Sequence, residues 1–185
     1  MKKLILLVCL ISSISVSAQN FPALDASPMD VAYFPSGLPL FELRNTPAQE
    51  PKIKVYYSRP QLKGREMLGK EAAPFGKVWR MGANEATEIT FYQDVTFGDA
   101  KVKAGTYVLF AIPNENEWEF ILSSKLNTWG NYTTKEDAFV ARAKGKTKSV
   151  ENPIEALSIM FAETSGGADM MVGWENTIAT LPIKF

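Results

Sequence analysis

The sequence predicts an all-β fold, namely a single-domain β-sandwich of jelly-roll type with a proline-rich N-terminal arm. From residue 53 onward, short runs of alternating apolar and polar residues are separated by Gly, Pro, Asn and Asp. Helical periodicity is scarce, and no repeat or low-complexity tract occurs. The predicted strands are 53–58, 88–97, 106–112, 118–123, 156–162, 170–174 and 177–183. Strands of this kind bury their apolar faces when two sheets stack.

Two segments show the strand signal most clearly. Between residues 89 and 95, Ile89, Phe91 and Val95 fall on one face of an extended chain, and polar or amphipathic residues fall on the other. The apolar run 106–112 ends at Pro113, and the polar residues 114–117 separate it from the run 118–123. This spacing predicts a β-hairpin with a four- to five-residue loop.

Two structural alternatives remain open from the sequence. Residues 135–143 suit two turns of helix with Thr134 as N-cap, and they suit a strand equally well. A meander barrel is the alternative to the sandwich, because strand order cannot be derived from one sequence.

The N-terminus carries the pattern of a cleaved signal peptide. Lys2 and Lys3 form a positive n-region, residues 4–14 are largely apolar, and the small residues ending at Ala18 form a cleavage site. The apolar stretch is shorter than the roughly 20 residues that a membrane-spanning helix needs. We therefore expect cleavage after Ala18, a periplasmic or secreted protein, and no membrane span after cleavage.

The remaining chain is predicted to contain an arm and one domain. Residues 19–50 form the extended arm, in which prolines recur and 29–34 is one short strand. Residues 51–185 form the β-sandwich domain. Removing 18 residues from 185 leaves 167, which suits one compact core.

Composition excludes several kinds of chemistry. The chain has no histidine, and its single cysteine, Cys9, lies in the predicted signal peptide. The exported protein therefore has no disulfide, imidazole base, thiolate nucleophile or ordinary zinc site, and no metal or cofactor is predicted. Removing Lys2 and Lys3 from 20 basic and 20 acidic residues leaves a net charge of about −2, so no nucleic-acid partner is expected.

Blocks of the sequence carry a family resemblance. They read YSRP at 57–60 with KGR at 63–65, FGKVWRMGANEAT at 75–87, AGTYVLFAIP at 104–113, WGNY at 129–132 and WE at 174–175. In order and wording they resemble the exported bacterial family known as domain of unknown function 2911, over about residues 28–184. The resemblance implies an exported β-rich domain. The family has no established activity, so the resemblance assigns no catalytic or binding residue.

Polar residues crowded among glycines and aromatics predict a ligand site. Guanidinium groups recognise carboxylates or vicinal hydroxyls, amide and carboxylate pairs suit sugar hydroxyls, and exposed aromatic rings offer flat apolar faces. If the loops meet at one end of the sandwich, the site would contain Arg59, Lys63, Arg65, Arg80, Asn84, Glu85, Trp129, Tyr132 and Glu175. The same types of residue also have structural uses. Arg80 could pair with a glutamate, and Trp79, Trp118 and Trp174 could pack in the core.

These observations predict an exported, non-catalytic binding module for a small polar or glycan-like ligand. One alternative is a carboxylate-based, glycosidase-like hydrolase in which Glu85 works with Glu175 or Asp94. The other is a structural or partner-binding envelope domain that docks through its arm. No residue is predicted to be catalytic or to ligate a metal.

Overall fold

The computed structural model describes residues 21–40, 43–44 and 49–185. The predicted signal peptide and parts of the predicted arm lie outside these residues. Two 3-10 turns, Leu38–Leu40 and Glu136–Ala138, accompany nine strands. The strands are β1 (Met29–Phe34), β2 (Ile53–Ser58), β3 (Glu88–Phe91), β4 (Val95–Phe97), β5 (Ala100–Val102), β6 (Gly105–Ile112), β7 (Glu117–Ser123), β8 (Phe139–Thr164) and β9 (Gly167–Lys184).

All nine strands belong to one open sheet in which every pair of neighbours is antiparallel. The strand order is β1-β2-β3-β6-β7-β8-β9-β4-β5. The all-β prediction is therefore confirmed. The jelly-roll sandwich stays a prediction, because the pairing describes a single sheet. The proline-rich arm also stays a prediction, although 29–34 does form a strand and pairs with β2.

The first part of β8 pairs with β7, and the part from Lys146 onward pairs with β9. Register shifts lie between Ser149 and Ser158, around Pro153. Beyond β2, Gln61 forms an antiparallel bridge to Ala156, so the chain that leaves β2 also runs beside β8. The edge of the sheet formed by β1 and β2 therefore lies near the second half of β8.

The core follows the predicted alternation. Ile89, Phe91 and Val95 are each at most 5% exposed, as expected for one buried face. The 106–112 and 118–123 hairpin is confirmed, with Leu109 opposite Leu122. A smaller apolar cluster lies apart from the main core and contains Ala86, Val108, Phe110 and Ile121.

Three predicted boundaries differ from the structure. The run 88–97 is two strands, because the chain bends at 92–94 and Asp94 accepts a hydrogen bond from the Ala104 N–H at 2.9 Å. Residues 135–143 combine a 3-10 turn with the start of β8. The runs 170–174 and 177–183 belong to one strand, β9. Among the described residues, no helix has the length and apolar character to cross a membrane.

Candidate functional site

The loop 78–87 is anchored in the core at its beginning. Trp79 is 2% exposed and exchanges backbone hydrogen bonds with Ala111 of β6 at 2.7 and 2.9 Å. Its ring stacks on Trp174, with centroids 5.4 Å apart, and meets the ring of Trp118 edge-on at 5.9 Å. These three tryptophans therefore pack in the core, which was the structural alternative that the sequence offered for them.

The middle of the 78–87 loop is held against β2. The Ser58 hydroxyl donates to the Ala83 carbonyl at 2.7 Å and accepts from the Ala83 N–H at 2.6 Å. A Cβ added to Gly82 would stand 2.5 Å from the Ser58 oxygen, so this close approach requires glycine. The Thr87 hydroxyl closes the loop by donating to the Met81 carbonyl at 2.7 Å.

The segment 127–131 lies beside this loop. The Ala86 N–H donates to the Thr128 carbonyl, and the Gly130 N–H donates to the Asn84 carbonyl, both at 2.9 Å. Glu85 and Trp129 form an antiparallel bridge between the two segments. The backbone hydrogen bonds therefore place these two predicted site residues next to each other.

A cleft of about 200 Å³ opens where the two segments meet the sheet. It is lined by Met29, Tyr56, Glu85, Ala86, Glu88, Asn127 and Thr128. The Asn127 N–H donates to the Glu88 carboxylate at 3.0 Å, which fixes one wall. Tyr56 is 46% exposed and Trp129 is 60% exposed, so an aromatic ring borders the cleft and another lies beside it.

One buried polar group in the cleft has no protein partner. Thr128 is 6% exposed, and its hydroxyl makes no hydrogen bond among the described residues. A buried hydroxyl without a partner costs roughly 1–3 kcal/mol, and such groups are rare in folded proteins. The indole N–H groups of Trp118 and Trp174 in the core likewise lack a partner among the described residues, so this hydroxyl does not by itself identify a ligand site.

The backbone around the cleft is strained. Met81, Asn84 and Asn127 have φ angles of 54°, 59° and 56° in the left-handed region. Asparagine tolerates this region, but the cost is larger for methionine, and strained residues concentrate at functional sites. All three belong to the two segments that form the cleft.

Both segments fall within a recognised family. A family model described as protein of unknown function (DUF2911) matches residues 42–183. The chain belongs to the DUF2911 family. The match covers every block that carries the sequence resemblance, so the predicted family is confirmed, and the match begins at residue 42 where the resemblance was placed from about residue 28. No curated protein and no solved structure matches the chain.

In this DUF2911 domain, Arg59 is committed to internal hydrogen bonds. Its guanidinium pairs with Asp30 at 2.9 Å and donates to the Leu157 carbonyl at 3.0 Å and the Ser158 hydroxyl at 2.9 Å. These bonds join β1 and β8 to the chain that leaves β2. Arg59 is thus placed away from the cleft lining, although it was predicted to join Glu85 in one site.

Lys63, Arg65 and Glu175 form a second group around the chain that follows β2. The Lys63 N–H donates to the Glu155 carboxylate at 2.8 Å, and the Arg65 guanidinium donates to the Leu62 and Gln61 carbonyls, both at 3.0 Å. The Glu175 carboxylate accepts from the backbone N–H groups of Met67 and Leu68. These bonds are internal to the DUF2911 domain, and none of the three residues lines the cleft.

Arg80, Asn84 and Tyr132 lie in or next to the two segments but do not line the cleft. The Asn84 amide donates to Asp25 at 3.0 Å, and Tyr132 is 80% exposed next to Gly130. Arg80 is half-buried, and its Nε makes no hydrogen bond among the described residues. The glutamate partner that the sequence suggested for Arg80 is not found among the described residues.

Sequence reasoning missed six cleft residues, which are Met29, Tyr56, Ala86, Glu88, Asn127 and Thr128. A signal existed for two of them. Tyr56 falls on the solvent face of the alternating run 53–58, and Asn127 lies two residues before Trp129 in a polar loop. Glu88 and Met29 depend on strand pairing, which no short-range pattern reveals. Among the described residues, no group of three acidic side chains could hold a metal ion.

Proposed function

We propose that this DUF2911 chain is an exported, non-catalytic binding module whose cleft binds a small hydroxylated, glycan-like ligand. One observation carries the proposal. The exposed Glu85 carboxylate makes no hydrogen bond or ion pair among the described residues, and it lines a cleft that the exposed ring of Tyr56 borders and the ring of Trp129 adjoins. Sugars present hydroxyl groups together with flat C–H faces, so they match carboxylates and aromatic rings at once.

The charge of the cleft favours a hydroxylated ligand over an anionic one. Glu85 and Glu88 both line it, and no lysine or arginine does. Of the four cations that the sequence suggested, Arg59 and Arg65 donate to the protein's own carbonyls and side chains, and Lys63 and Arg80 lie outside the cleft lining. Two carboxylates in a lining that contains no cation disfavour an anion and can accept hydrogen bonds from hydroxyls.

Engagement of Glu175 and Asp94 elsewhere removes the two catalytic pairs that the sequence suggested for Glu85. A glycosidase needs two carboxyl groups roughly 5–10 Å apart across the scissile bond. Glu175 accepts hydrogen bonds from two backbone N–H groups, and Asp94 pairs with Lys103 at 2.7 Å in a separate cavity. The two partners suggested for Glu85 therefore have structural roles of their own.

The described part of the arm is also bound to the domain. Asp25 accepts a hydrogen bond from Asn84, and Asp30 pairs with Arg59. This supports a role of residues 25–30 in the fold and gives less support to an arm that docks on another protein. Export is inferred from the first eighteen residues, where two lysines, an apolar run and a small-residue cleavage site follow one another.

A thermal-shift screen with variants tests the proposal. We expect one or more of glucose, N-acetylglucosamine, cellobiose and chitobiose to raise the Tm of the purified protein. Glu85→Gln and Trp129→Ala should each weaken binding at least tenfold and leave the Tm without ligand unchanged, because both side chains are exposed. Glu163→Gln, an exposed glutamate of β8, is the matched control and should bind normally. Absence of any shift in the wild type, or full binding by Glu85→Gln, would contradict the proposal.

A further inference from the structure

The cleft continues onto a flat surface of the sheet. We propose that the ligand is an oligosaccharide of several units, which extends from the cleft across the outer face of β1, β2 and β3. This inference rests on the proposed function and adds the size class of the ligand. Tyr56 and Glu88 belong to both surfaces, since they line the cleft and stand in the sheet.

Strand register defines the outer face. Residues directly opposite one another in paired strands point to the same side of the sheet. One row runs Val31, Tyr56 and Glu88, and the next runs Tyr33, Lys54 and Thr90. The intervening row of Ala32, Val55 and Ile89 points to the opposite side, where Val55 and Ile89 are fully buried.

The outer face exposes apolar and aromatic side chains that a folded domain usually covers. Met29 is 52% exposed, Val31 36%, Tyr56 46% and Tyr92 49%. Single exposed apolar residues are normal, but a contiguous group marks an interaction surface. The strand register places Met29, Val31 and Tyr56 next to one another. The Tyr92 N–H donates to the Lys52 carbonyl at 3.0 Å, which places Tyr92 beside the start of β2.

Lys54 orders the rings at the centre of this face. Its ammonium lies 4.4 Å from the centroid of the Tyr56 ring and 5.6 Å from that of Tyr33. The neighbouring Tyr56 side chain raises the pKa of Lys54. The ammonium therefore contacts two tyrosine rings and is a hydrogen-bond donor beside them. The Thr90 and Thr106 hydroxyls, 2.9 Å apart, add further polar groups to the row of Tyr33 and Lys54.

The dimensions favour more than one sugar unit. The cleft, at about 200 Å³, is smaller than the roughly 300 Å³ at which ordinary ligand pockets begin. Glu88 and Tyr92 are four residues apart along an extended chain, a span of about 13 Å. Tyr92 then lines a second hollow of about 520 Å³ with Lys52 and Gln93. A chain of sugars would connect the two hollows through the tyrosines between them.

The position of the rings favours a saccharide over a peptide. A peptide that adds a strand uses the free backbone edge of β1 and lies in the plane of the sheet. Tyr56, Tyr92 and Lys54 instead stand on the face, where backbone hydrogen bonds are already made within the sheet. Aromatic rings presented on such a face stack with flat C–H surfaces, which sugar rings possess.

Binding as a function of chain length tests this inference. The probes are cello- and chito-oligosaccharides of two, four and six units, measured by calorimetry on the purified protein. Wild type should bind the hexamer at least tenfold more tightly than the dimer. Tyr92→Ala should remove most of that gain and leave dimer affinity unchanged. Val140→Ala, which removes a 49% exposed side chain from the start of β8, should retain the gain.

The outcomes separate the two proposals. Equal affinity for dimer and hexamer in the wild type, or a Tyr92→Ala variant that keeps the full gain, overturns the extended site and leaves the cleft intact. If the wild type binds no member of either series, the proposed function fails and the extended site fails with it.

Discussion

The indole rings of Trp79 and Trp174 lie parallel at an interplanar angle of 5°, with centroids 5.4 Å apart. This contact ties the 78–87 loop to β9 in the core. Six residues later in the same loop, Glu85 is exposed in the cleft wall. The sequence block 75–87 therefore contains both Trp79, which positions the loop, and Glu85, whose side chain is exposed in the cleft.

The anchor should be essential for stability. Trp79→Ala removes a ring that is 2% exposed and contacts two further indoles, so it leaves a cavity in the core. We expect a loss of about 3–5 kcal/mol in the free energy of unfolding. Urea unfolding followed by circular dichroism measures it.

Trp129→Ala is the matched control for this change. Its ring is 60% exposed, so the free energy of unfolding should change by less than about 0.5 kcal/mol. Equal losses in the two variants would show that Trp129 is also a core residue and would remove an aromatic ring from the proposed site.

Much of the fold could be predicted because the alternation of apolar and polar residues in a strand shows directly which side chains are buried. Ile89, Phe91 and Val95 lie on one buried face, although two strands carry them. The break between those strands depends on Asp94, which accepts hydrogen bonds from the Ala104 N–H and the Lys103 ammonium. The full length of β8 was missed because Pro153 and polar neighbours resemble a turn, yet pairing with β9 resumes beyond them after register shifts.

The candidate site could be predicted only in part. Glu85 and Trp129 meet because backbone hydrogen bonds join their segments. Arg59 was assigned to the same site from its charge, but its partners include the Leu157 carbonyl, ninety-eight residues away. Every residue has a backbone carbonyl, so the sequence does not show which carbonyl accepts a hydrogen bond from a given arginine.

The close approach of Gly82 to Ser58 gives a second stability prediction. Gly82→Ala places a Cβ 2.5 Å from the Ser58 oxygen and should destabilise the fold by about 1–3 kcal/mol. Ser58→Ala loses the two hydrogen bonds to Ala83 and should cost a similar amount.

A double-mutant cycle tests the contact itself. Once Ser58 lacks its oxygen, the remaining neighbours of the added Cβ are backbone atoms at 3.4 Å and beyond. Gly82→Ala should therefore cost much less in the Ser58→Ala background, which makes the two changes strongly non-additive in urea unfolding. Strict additivity would refute the steric explanation.

Tyr57 gives a pH-dependent prediction. Burial raises the pKa of its hydroxyl, and the hydrogen bond from the Ile159 N–H partly opposes this rise. The folded state thus favours the neutral phenol, and its contribution to stability is present below the unfolded pKa of about 10 and is lost as pH rises through the folded pKa. Tyr57→Phe should reduce the loss of stability on raising the pH from 9 to 11, measured by urea unfolding at each pH.

The same substitution should also act at neutral pH, for a different reason. Tyr57→Phe leaves the buried Ile159 N–H without its acceptor, which should cost about 1–3 kcal/mol. Tyr56→Phe is the adjacent control, because Tyr56 is 46% exposed, and it should change stability by less than about 0.5 kcal/mol. If both variants keep wild-type stability at pH 7 and its full loss at pH 11, the Tyr57 hydroxyl does not join β2 to β8.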